Sequence, residues 1–242
     1  MENISYVGLS HQTAIKKQLT VTANNIANMT TTGYKAQELI FLEHVMAARG
    51  GDKNEEISMV IDNSTYRRVE QGALSQTHNP LDMAINGSGY FVVNTDEGAR
   101  YTRAGDFSLN EIGEIVTKEG YPVVNAAGTP IVVPPGESQI TVSGSGTIST
   151  ENGEIGQLNL VEFDNEQDLI ELGGNLYNAL DQQALPAKNT KVVQGMLETS
   201  NVQPIIEMNK MIEALRSYQS IQKILQTDHE RQRGMIAKLS KV

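Results

Sequence analysis

The chain has 242 residues, enough for a core of ordinary size, yet it has no Cys, no Trp, 5% aromatics and 39% apolar residues, so the core is expected to be modest. With 19 Lys and Arg against 29 Asp and Glu, the net charge of -10 speaks against nucleic acid or an anionic membrane surface as a partner. The missing Cys excludes disulfides and thiolate metal sites, and no run approaches the roughly 18 apolar residues of a membrane-spanning helix.

Residues 1–10 show no basic stretch ahead of an apolar one, so no cleaved secretory signal is expected. Ile4, Val7, Gly8, Ala14, Ile15, Leu19, Ala23 and Ile26 recur at helical spacing, which predicts one helix over residues 1–29. Near its end Asn24, Asn25 and Asn28 crowd one side of the helix, with Ile26 and small residues around them. Asparagine is a mediocre helix former whose amide both donates and accepts, so three so close cost stability unless they find partners. Spacing alone leaves two readings open, a solvated and capped helix end or a surface built to interlock. Thr30, Thr31, Thr32 and then Gly33 are expected to end the helix, through β-branched stiffness and tolerance of positive φ.

Residues 30–80 lose the helical period. Alternating stretches such as 57–61 and 65–69, beside a loop at 50–56, predict an extended hairpin-like β arm. From 81 to 184 glycine punctuates short apolar runs, the clearest at 90–93 and 131–133, and this predicts a central all-β domain. Residues 185–203 read as a connector. A last helix, 204–242, follows, with Ser200 and Asn201 as cap candidates and Pro204 in the first turn. Its stripe runs through Ile205, Met208, Ile212, Leu215, Tyr218, Ile221 and Leu225 toward Ile236 and Leu239 over roughly 50 Å. Such a stripe needs a packing partner. The first helix is the obvious one, so the expected class is α+β, with the terminal helices paired as a coiled coil. That pair could simply join the ends of one monomer, or it could invite further subunits into an open helical assembly.

Three blocks carry a resemblance. Residues 19–35, LTVTANNIANMTTTGYK, are similar to the amino-terminal signature of bacterial flagellar rod and hook proteins. Residues 71–93, followed by YTRAGDF at 101–107, resemble the central block of that family, and VQGMLETSNV (193–202) with EMNKMIEALRSY (207–218) resembles its carboxy-terminal signature. Order and spacing agree along nearly the whole chain. The resemblance implies a structural subunit of the flagellar basal-body rod, the drive shaft that carries motor torque across the periplasm to the hook. It implies other rod subunits above and below and further copies of this chain as partners, export without a cleaved signal, and no membrane insertion. The helix pair would form an inner tube around the export channel, the arm would bridge neighbours, and the β domain would lie outside. Asn24, Asn25, Ile26, Asn28, Gly33, Asn201, Glu207, Met208, Ile212, Leu215 and Tyr218 fall in the matched blocks and are expected at subunit interfaces. The short chain and lean middle favour a proximal rod member over a distal rod or hook-type one.

Chemistry is hard to find in the sequence. His11, His44, His78 and His229 are scattered, without the i, i+4 spacing of a helical metal site. The Gly-Ser-Gly segments at 87–89 and 144–146 lack the form of a nucleophile elbow, and no phosphate-binding loop is present. The carboxylate pairs Glu55–Glu56 and Asp164 with Glu166 have the residue types of a glycosidase but lie in polar loop sequence without aromatic platforms. No cofactor, metal or small-molecule substrate is expected. The competing classes are a carbohydrate-active enzyme and a coiled-coil surface adhesin.

Overall fold

Two long helices bracket the chain: α1 (Glu2–Ala27) and α2 (Pro204–Leu239). The computed structural model describes residues 2–47, 56–137, 139–180, 182–188 and 190–239. Its residues fall into two compact units. The helix unit comprises residues 1–27, 37–67 and 203–242, and the β unit comprises 28–36 and 68–202.

In the helix unit, α1 packs against α2 and against a hairpin made of β1 (Gln37–Ala47) and β2 (Glu56–Arg67). The burial pattern explains the pairing. Along α1, Ala14, Ile15, Val21, Thr22 and Asn25 are buried; along α2, Glu207, Ala214 and Asp228 are buried, with Met211, Tyr218, Ile221 and Leu225 half-buried between them. These α2 positions step by four and three, one stripe of a helix. Gly8 marks a close approach, since a Cβ there would lie 2.7 Å from Leu225 Cδ2. Ile205, Met208, Ile212 and Leu215, expected to share one stripe with Tyr218 and Ile221, are instead exposed on another side of α2. The expected stripe thus divides: its second half, Tyr218, Ile221 and Leu225, lies in the half-buried row, whereas its first half is exposed and Glu207, Met211 and Ala214 take the inner positions there.

The arm is a true antiparallel ladder, with pairs running from Gln37↔Arg67 to Ala47↔Glu56. Residues 57–61 and 65–69, read separately in the sequence, largely merge into β2, because the register shift between Ile40 and Phe41 absorbs one extra residue on the β2 side as a bulge. Residues 48–55, most of the expected loop, and residues 240–242 of the expected last helix lie outside the described residues.

Among its described residues the β unit contains fifteen short strands: β3 (Leu74–Gln76), β4 (Met83–Asn86), β5 (Tyr90–Thr95), β6 (Gly98–Thr102), β7 (Ser108–Leu109), β8 (Ile115–Val116), β9 (Thr141–Val142), β10 (Thr147–Thr150), β11 (Gly153–Gln157), β12 (Leu160–Glu162), β13 (Ile170–Gly173), β14 (Leu176–Asn178), β15 (Leu185–Pro186), β16 (Lys191–Gln194) and β17 (Met196–Glu198). A six-stranded sheet, ordered β13-β14-β6-β5-β12-β15, forms its centre. The continuous apolar run of β5 suits a strand covered on both faces. Phe91 and Val93 enter a large cluster with Met83, Ile85, Phe107, Ile115 and Ile148, while Tyr90 and Val92 enter a second with Phe163, Leu169 and Tyr177. Edge-to-face ring pairs, Tyr90 with Tyr177 at 5.6 Å and Phe91 with Phe107 at 5.1 Å, tie both clusters to this strand. Residues 131–133 are not a regular strand; Pro130 and Val132 make only isolated bridges, to Val124 and Glu114.

Residues 185–203 differ most from expectation. Rather than a plain connector, they supply β15, β16 and β17, which pair with β12, β4 and β3. The partners are distant in sequence, so no local pattern announces them. Among the described residues no helix is long and apolar enough to cross a membrane.

Candidate functional site: two polar knots and an exposed helix ridge

Each unit is closed by a cluster of polar side chains drawn from distant parts of the chain. In the β unit, Lys35 Nζ lies 2.6 Å from Glu198 Oε1, and Arg103 Nη1 lies 3.3 Å from Glu198 Oε2, all three side chains being buried. The Gly72 N–H also donates to Glu198 Oε1 (3.0 Å), and Lys35 donates to the Glu70 carbonyl (2.9 Å). Arg103 stacks over the Tyr90 ring, 5.1 Å from its centroid, and the Tyr90 hydroxyl donates to Glu166 (2.8 Å). Burial lowers the Lys35 pKa against the opposing pull of Glu198, and burial with the Glu166 carboxylate raises that of Tyr90.

Backbone geometry brings these groups together. Gly33, at φ +69°, turns the chain so that its N–H donates to the Glu198 carbonyl (2.8 Å), and a Cβ there would come within 2.6 Å of the Arg103 carbonyl carbon. Asn201 then fastens three segments. Its Oδ1 accepts from the Ala36 N–H (2.7 Å), and its Nδ2 donates to the carbonyls of Arg68 (2.8 Å) and Glu70 (2.9 Å).

The helix unit has a second knot around Asn25. Its amide donates to the Gln37 carbonyl (2.8 Å) and to Glu207 Oε2 (3.1 Å), and its Oδ1 accepts from the Gln37 N–H (2.9 Å). Lys210 bonds the other Glu207 oxygen at 2.8 Å. One amide thus links the end of α1, the start of β1 and the first turn of α2.

The expected interface residues separate into two groups. Asn25 and Glu207 in one unit, and Gly33 and Asn201 in the other, make these internal bonds. Asn24, Met208, Ile212 and Leu215 are exposed, whereas Ile26, Asn28 and Tyr218 are half-buried. Asn28 lies just past the helix, in a turn closed by Thr31 N–H to its carbonyl (3.2 Å). On α2, Ile205 is 76% exposed, Met208 and Ile212 47%, and Leu215 44%, a ridge of large apolar side chains without cover inside the unit.

Family comparisons find three matches along the chain. Residues 6–35 match the flagella basal body rod protein family, 84–150 the flagellar hook protein FlgE/F/G D1 domain, and 193–237 the flagellar basal body rod FlgEFG protein C-terminal family. A flagellar basal-body rod protein FlgF from Caulobacter vibrioides is 37% identical over 244 aligned positions, covering 100% of both chains. The chain belongs to the flagellar basal-body rod protein family. A FlgF from Rhizobium meliloti is 34% identical over 91% of each chain, and a FlgG from Bacillus subtilis is 33% identical over 93% of this chain and 94% of its own. The rod protein is therefore a structural rod subunit of the flagellar basal body, most like the FlgF relatives.

Against this background the knots acquire a meaning. The three matched segments meet in the fold of this rod protein: Lys35 comes from the first, Arg103 from the second and Glu198 from the third. Lys35, Arg103 and Glu198 carry no sequence signal of this role, since each stands beside turn-forming polar residues where solvated charge is ordinary.

Proposed function

We propose that this chain is an axial subunit of the proximal part of the rod, joined to copies of itself and to adjacent rod subunits through the helix unit. It would transmit motor torque toward the hook. The observation that carries this reading is the α2 ridge of Ile205, Met208, Ile212 and Leu215. Large apolar side chains arranged along one helix face mark an interaction surface. The occupant favoured by rod-family membership is another axial subunit, and a heterologous contact that does not close generates a helical filament.

In this reading α1 and α2 form a two-helix coiled coil, supported by the steps of four and three among the inward positions of α2. Asn24, Met208, Ile212 and Leu215 would touch neighbours, with Ile26, Asn28 and Tyr218 at the margins. Asn25, Gly33, Asn201 and Glu207 would act from within by fixing the shape that is presented. The β arm would bridge subunits, since a two-stranded ribbon gains little stability alone. Residence in the periplasmic rod after export without a cleaved signal follows from the same family reasoning. The proximal assignment is supported by the full-length match to a FlgF chain.

The test is complementation of a strain lacking this subunit with Ile205→Glu/Ile212→Glu. Expected are a normally folded soluble chain, no incorporation into isolated basal bodies, and loss of swimming. Wild-type incorporation by the double variant would remove the ridge from the interface.

A further inference from the structure

The net charge of -10 is not spread over the molecule. The β unit carries 18 Asp and Glu against 7 Lys and Arg, a net charge of -11, whereas the helix unit carries 11 against 12, a net charge of +1. Burial sharpens the contrast. Among the described residues of the β unit, Lys35, Arg100 and Arg103 are buried, so three of its cations are withdrawn from the surface; of its acids only Asp82 and Glu198 are. Asp96, Glu111, Glu154 and Asp164 are exposed and lie on well-separated loops and strands. No fold requirement explains such an excess, since acids at these positions neither fill the core nor join the buried ion cluster.

We propose that this separation makes the β unit a repelling surface between copies, so that copies associate only through the nearly neutral helix unit. The inference rests on the reading that copies associate through the α2 ridge. Two β units of like sign repel at a range set by the Debye length, about 30 Å at 0.01 M salt and about 8 Å at 0.15 M. Like-charge juxtaposition opposes any pairing that would bring two β units face to face. Exposed apolar side chains of the β unit, such as Ile112 and Val132, are thereby kept from competing with the ridge.

The test is sedimentation velocity of the full soluble chain across a salt series, beside Asp96→Asn/Glu111→Gln/Glu154→Gln/Asp164→Asn and the ridge variant Ile205→Glu/Ile212→Glu. The parent chain is expected to associate about tenfold or more tightly at ~200 mM than at ~10 mM salt. The four-site variant should already associate at low salt as the parent does at high salt, with unchanged near-UV circular dichroism. Association that weakens with salt would overturn the proposal, because it would mean attraction between the acidic unit and a basic surface. Association that needs the ridge but ignores both salt and the four substitutions would overturn the charge inference and leave the ridge reading standing. Association that persists in the ridge variant would overturn the ridge reading, and no association of any chain at any salt would overturn both.

Discussion

The β unit and the helix unit solve the same problem of burial in opposite ways. In the β unit, β5 is covered on both faces, its aromatic rings meet edge to face, and the buried Lys35 and Arg103 share the Glu198 carboxylate. The helix unit leaves Ile205, Met208, Ile212 and Leu215 in solvent and places Glu207 and Asp228 in the seam between its helices. The first buries its large apolar side chains within itself, and the second leaves a row of them uncovered. On the proposed reading, stability and assembly fall to different parts of the chain and can be perturbed separately.

The sharpest way to break the first half of that contrast is Glu198→Ala. It leaves Lys35 and Arg103 buried without their carboxylate, and the expected loss is about 3–5 kcal/mol of β-unit stability, read by denaturant unfolding. Replacing Lys35 and Glu198 together with apolar residues of similar size should cost less than Glu198→Ala alone, as a double-mutant cycle would report. Next in size is Asn25→Ala. It removes the side-chain bonds to the Gln37 backbone and to one oxygen of Glu207, at about 1–3 kcal/mol, and hydrogen exchange should report loosening at the start of β1.

Tyr90→Phe is milder, about 1 kcal/mol near neutral pH through loss of the bond to Glu166. Its pH dependence sharpens the point. Because the folded pKa of Tyr90 is raised above the ordinary value of 10.0, its contribution is present below pH 10 and is lost as pH climbs past it, when the unfolded chain ionises first. The Phe variant should show a shallower fall in stability above pH 10 in an alkaline unfolding series. The smallest expected effect on the isolated chain is that of Ile212→Glu, within about 0.5 kcal/mol, because the site is exposed. The contrast between the two units would lose its basis if this substitution unfolded the soluble chain.

Much of this architecture was legible in the sequence, and the parts that were not fail for definable reasons. The terminal helices, the arm and the glycine-punctuated strands follow from local periodicity. The pairing of β16 with β4 and of β17 with β3 does not, since it joins residues more than a hundred positions apart through ladders of four and three residue pairs. On α2 the first half of the expected hydrophobic stripe is the outer ridge. The inner row includes Tyr218, Ile221 and Leu225, which the pattern picked out, but its most buried positions are Glu207, Ala214 and Asp228, two of them carboxylates that a hydrophobicity count ranks low. The blocks around Lys35, Arg103 and Glu198 were recognisable as words, but only the fold shows that they are adjacent.

Asn201 has a mechanical corollary. Its single amide grips the backbone just before β1, the backbone just after β2, and its own segment just before α2. A pull that draws any of these leads away from Asn201 must break a hydrogen bond of this one amide, so its loss would loosen all three together, as drawing a rivet frees every plate it joins.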